Sequence, residues 1–152
     1  MIGRRQFGTL GLSALGLAAF PSFAAAQARR AASGHDDHLN KALMDCAAAC
    51  NACQQACDSC AVHCMKQVAE GHEAHLVTAQ FCLDCADVCA NAARVVSRGG
   101  PLSKLICDAC AVACDRCAQE CEKFPDDEHM KQCAQECRKC EKACKEMVMH
   151  LM

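Results

Sequence analysis

The sequence predicts an all-α protein, an antiparallel up-down four-helix bundle with a cysteine-lined core. Three observations carry this reading. Cysteines recur at steps of three and four residues through four separate stretches. Corners rich in Gly or Pro part those stretches, at Gly71, Gly99-Gly100-Pro101 and Phe124-Pro125. The residues between the cysteines are mostly Gln, Lys, Arg, Glu, Asp and Ala, which suit exposed helix surface. Steps of three and four hold side chains on one helical stripe, whereas a strand would send them to opposite faces.

The first stretch sets the pattern. At about 100° and about 1.5 Å per residue, Cys46, Cys50, Cys53, Cys57, Cys60 and Cys64 fall within an arc of about 80°, in a column about 27 Å long. These are the a/d positions of a bundle seam, with thiols where leucines normally sit. The first helix is expected to open at His35 or Asp36 and to run to about Ala69. Asp36 and Asp37 suit its positive end. Leu39 and Leu43 begin its seam, Val68 closes it, and Gly71 breaks the helix.

A second helix is expected over about His72–Ser97, with His75, Thr78, Cys82, Cys85, Cys89, Ala92 and Val96 inward. Pro101 fits the first turn of a third helix, about Leu102–Glu122. Its seam is Cys107, Cys110, Cys114, Cys117 and Cys121. Asp126 or Asp127 caps a fourth, about Asp127–His150, with Met130, Cys133, Cys137, Cys140, Cys144, Met147 and Leu151 on its seam. Short corners between four amphipathic helices give the up-down topology.

Ahead of the bundle, residues 1–26 have the layout of an export signal. Arg4 and Arg5 precede an apolar run from Leu10 to Phe23, and Ala24-Ala25-Ala26 offers a cleavage site. The paired arginines resemble a twin-arginine signal, which implies export in the folded state to the periplasm; an ordinary secretory signal is the alternative. The apolar run is short and rich in Gly and Ala, so no membrane span is expected after cleavage. Residues 27–34 are expected to form a disordered leader, and residues 35–152 the bundle.

Composition narrows the function. Among 152 residues there are eighteen cysteines but no Trp or Tyr, so the core cannot rest on large rings. Cysteine at that level signals disulfides or metal. A net charge of −2, with no basic block, points away from nucleic acid and acidic membranes. No nucleophile–base pair, phosphate loop or nicotinamide fingerprint is visible, so no enzymatic activity is expected.

Three uses of the thiols compete. A disulfide scaffold suits an oxidising compartment. Residues four apart on a helix have parallel Cβ vectors, however, and are poorly placed for bridging. A zinc site needs only four ligands and does not account for continuous columns, although a thiolate store for zinc or cadmium stays open. The ferredoxin spacing of iron–sulfur proteins is absent. Cu(I) fits best, because soft thiolates favour it and two or three sulfurs satisfy it. The pairs are Cys46–Cys50, Cys53–Cys57, Cys60–Cys64, Cys85–Cys89, Cys110–Cys114, Cys117–Cys121, Cys133–Cys137 and Cys140–Cys144, each pair on one helical face. Cys82 and Cys107 each stand one turn from a pair.

The cysteine-lined bundle, His63-Cys64-Met65 late in the first helix and Cys121-Glu122-Lys123-Phe124-Pro125 before the last resemble the bacterial copper storage proteins. The resemblance spans essentially the whole mature chain. It implies a lumen holding many Cu(I) ions, approaching one per thiol, and a homotetramer. It also implies that metal enters where Met and His gather. The function expected here is a Cu(I) store that supplies a copper-requiring acceptor protein. Antiparallel threading collects His63, Met65, His72, His75, Phe124, His129 and Met130 at one end, the expected mouth. His63, Met65, His75 and Met130 are the candidate mouth ligands. His72 and His129 read as ordinary surface residues near turns, and Met130 equally as core filler. Leu39, Leu43, Val96, Ile106, Met147 and Leu151 plug the other end. A thiol-rich detoxifying sponge would use the same residues as a store.

Overall fold

A computed structural model describes residues 23–152, with side chains from residue 37 onward; most of the expected export signal, residues 1–22, lies outside the described residues. Four helices follow in order: α1 Phe23–Ala69, α2 His75–Val96, α3 Ser103–Cys121 and α4 Glu128–His150. α1 starts ahead of the expected His35 or Asp36 and takes in residues 27–34, which had been expected to be disordered. Ala24, Ala25, Ala26, Ala28, Ala31 and Ala32 explain the extension, since alanine loses least on entering a helix. No described helix is long and apolar enough to cross a membrane.

The corners form where the sequence places them. At the end of α1, His72 N–H donates to the Gln67 carbonyl at 2.9 Å and Gly71 N–H to Val68 at 3.0 Å. This pair of bonds is the Schellman closure, and it needs a positive φ, which Gly71 supplies at 96°. Gly99, at φ 57°, repeats the closure after α2, with its N–H donating to Val96 and that of Gly100 to Val95. Asp127 opens α4: its Oδ1 accepts from His129 N–H at 2.9 Å and Met130 N–H at 3.2 Å. α2 and α3 start without a side-chain cap.

Each helix packs on two neighbours. α1 touches α2 and α4, and α3 touches α2 and α4. Across the diagonals no Cα atoms of α1 and α3, or of α2 and α4, approach within 8 Å among the described residues. The bundle is therefore a square around a central channel. All eighteen cysteines are buried in it, joined by Ala at the helix contacts. The small Ala side chains let the backbones close in, and the thiols fill what remains.

Candidate metal centre

Helical periodicity turns all eighteen thiols inward, and sulfur contacts span the diagonal gap. Cys46 meets Cys107 at 3.9 Å, Cys53 meets Cys114 at 3.8 Å and Cys57 meets Cys117 at 3.9 Å, each pair joining α1 to α3. Shorter contacts link adjacent helices, with Cys89–Cys114 at 3.5 Å and Cys50–Cys144 and Cys57–Cys137 at 3.6 Å. All eighteen cysteines are free, and these separations are far above the roughly 2.05 Å of a disulfide.

The sulfurs gather into sets of four whose atoms lie within 4.8 Å of one another. Along the channel these include Cys50-Cys110-Cys140-Cys144, Cys53-Cys85-Cys89-Cys114, Cys57-Cys117-Cys133-Cys137 and Cys60-Cys82-Cys121-Cys133. A further set, Cys53-Cys57-Cys85-Cys137, shares members with two of these, Cys133 joins the last two, and Cys89–Cys110 at 3.6 Å links the Cys50 set, so the sets form one column. Shared sulfurs are what a bridged thiolate cluster requires. Every donor in these sets is sulfur, which selects soft metal ions over hard ones.

The protons in the column are shared unevenly. Hydrogen bonding to Cys117 leads in drawing Cys121 down to about 6. The reverse holds for Cys60, which its contact with Cys121 pushes well up. One sulfur of such a contact gains thiolate character while its neighbour keeps the proton. Burial opposes charge at both, so ionising the whole column requires a cation for each thiolate.

The sequence-predicted mouth residues part into two groups. Cys64 is buried, and Met130 sits against it: the thiols of Cys60 and Cys64 face Met130 Sδ at 3.5 and 3.7 Å. His75 is buried under Phe124, their rings stacked with centroids 3.9 Å apart, and His75 Nδ1 has no hydrogen-bond partner. His63 Nε2 lies 2.7 Å from Asp127 Oδ2, and its ring stacks on His129 at 4.6 Å. Met65 stands outside this group, largely exposed, and His72 is an exposed residue bonded to Gln67 Oε1. Leu43, Val96 and Met147 close the far end, with Leu39, Ile106 and Leu151 packed against the core.

Sequence reasoning missed two partners here. Asp127 was visible only as a cap, and His129 was placed at the mouth end but read there as an ordinary surface residue. The spacing from His63 to neither one signals contact, because α1 and α4 meet through the fold rather than along the chain.

The copper storage protein family model matches residues 25–149, almost the whole described chain. The protein belongs to the copper storage protein family. Its solved relatives agree. A cytosolic copper storage protein from Streptomyces lividans, carrying five coppers, is 33% identical with a TM-score of 0.68, over 74% of this chain and 97% of that one. A Cu(I)-bound copper storage protein, BsCsp3, is 33% identical with a TM-score of 0.62, over 68% of this chain and 95% of that one. A cysteine-rich protein of Bacillus subtilis, YhjQ, is 33% identical over 67% of this chain and 92% of its own length. The sulfur sets of this copper storage protein are soft-donor groups of the kind that can hold copper.

Proposed function

We propose that the protein is a non-enzymatic Cu(I) store whose eighteen cysteines all act as ligands. The observation that carries the reading is the merged column of free, buried sulfur sets, which has no role in an ordinary hydrophobic core. Copper-loaded relatives of the same fold support it. Neutral thiols fill the empty core, and equal numbers of Cu(I) and thiolate fill the loaded one, so neither state buries a large net charge.

Metal enters at the His-rich end. Met130 Sδ lies against Cys64 and the buried His75 Nδ1 is without a partner among the described residues, so these two donors can hold an arriving ion before a thiol proton leaves. His63 and Met65 act further out. The twin arginines, apolar run and Ala24–Ala26 support export to the periplasm, with the bundle released after cleavage. Assembly is homotetrameric, and the store supplies a copper-requiring protein.

Loading the core should raise thermal stability, because copper binds the folded channel and not the unfolded chain. Anaerobic melting of reduced and copper-loaded protein should show a rise of several degrees or more. An unchanged midpoint would place the metal outside the core. Storage and detoxification part in the cell: a deletion strain should fail in copper limitation if the protein is a store. Failure confined to copper excess would make it a sponge.

A further inference from the structure

The outside of the bundle is not uniform. Ion pairs lie along α1, α3 and α4 and at the corner before α4, whereas α2 takes part in none among the described residues. The outer side of α2 and α3 carries a second apolar stripe instead. Leu102, Leu105, Ala109 and Val112 follow steps of three and four on the exposed side of α3, with Leu102 61% and Leu105 66% exposed. Val77, Phe81 and Val88 stand four and seven residues apart on one side of α2. Between the stripes runs a groove of about 270 Å³, lined by Phe81, Val88 and Val112 and reaching Cys85 at its floor.

Two charges border this groove, Asp84 from α2 and Arg116 from α3. Both are exposed, and neither forms an ion pair among the described residues. Each continues its own stripe: Asp84 stands between Phe81 and Val88, and Arg116 four residues after Val112. A surface with one unpaired acid and one unpaired base about an apolar centre is complementary to itself. A two-fold axis through the groove sets the acid of one copy near the base of the other, twice over. A partner presenting a uniform charge would repel one of the two.

We propose that this α2–α3 face docks a second copy of the same chain about a two-fold axis, with Asp84 of each copy facing Arg116 of the other. The proposal names the contact behind the self-assembly put forward above and does not depend on what the channel holds. Its consequence for the store is shielding: the partner covers the groove over Cys85 and keeps solvent from that wall of the column.

Sedimentation equilibrium of the full chain, with and without charge reversal, tests this. The wild type should exceed the 16.2 kDa of a single chain. Asp84→Arg and Arg116→Asp should each lose half or more of the assembled mass, and the double reversal should regain it. Leu105→Glu should dissociate without rescue. All these positions are exposed, so helicity by circular dichroism should hold in every variant, and Cu(I) capacity should match the wild type. A capacity loss shared by wild type and variants would defeat the copper store while leaving the contact standing. A wild type of single-chain mass, reversals that leave assembly intact, or a double reversal that fails to restore it would overturn the proposed contact.

Discussion

Asp127 holds two ends of the mouth at once. Through Oδ1 it caps α4, and through Oδ2 it takes the His63 ring on α1. Burial works against its charge, but the His63 contact and the Met130 N–H outweigh it and hold the carboxylate below its usual range. A depressed carboxylate stabilises the fold above its unfolded value, near pH 4, and that contribution fades as pH falls through the folded one. Asp127→Ala should therefore cost about 1 kcal/mol at neutral pH, and Asp127→Asn less, because Asn still caps. Thermal melts of both check this, and equal losses would mean that the cap contributes nothing. Cys57 offers a test inside the column, since it belongs to two sulfur sets. Cys57→Ala should keep its helix and lower the copper capacity by at least one ion. Undiminished capacity would remove Cys57 from the ligand set. At this scale the sequence placed the thiols on inward seams but not the partners of the residues at the mouth. Met130 against Cys64, and His63 between Asp127 and His129, join residues more than sixty positions apart in the chain.

The helices themselves were largely legible. A seam at steps of three and four is a local signal, and every expected seam residue of α2, from His75 to Val96, is buried. α2, α3 and α4 begin and end within three residues of expectation, because Gly, Pro and Asp act at fixed positions along the chain. The start of α1 was not legible, since alanine carries helix past a polar stretch that has no breaker of its own until Gly34. The outer stripe of α2 and α3 was overlooked for another reason. Its spacing equals that of the seam, so the two periodicities overlie one another along the chain. Gly71 gives an element-scale test. A Cβ there would meet nothing within 4 Å, so Gly71→Ala should cost about 1 kcal/mol through its positive φ alone. Chemical denaturation measures it, and a neutral substitution would show that the corner relaxes freely.

For the whole molecule, the channel joins folding to loading. Thiols bury less apolar surface than leucines would, so the empty bundle depends on its buried Ala contacts and on its plugged far end. Each Cu(I) must displace a thiol proton, so uptake should acidify a weakly buffered solution by about one proton per ion, and affinity should rise with pH. Uptake without proton release would mean that the thiols are not the ligands. The most direct measurement is an anaerobic titration of fully reduced protein with Cu(I), read by metal analysis after removal of free copper. A store built on eighteen thiols should bind well above about ten ions per chain, with a sharp end point. Saturation at about one to four would contradict it, because a single four-sulfur site would then account for all the metal bound.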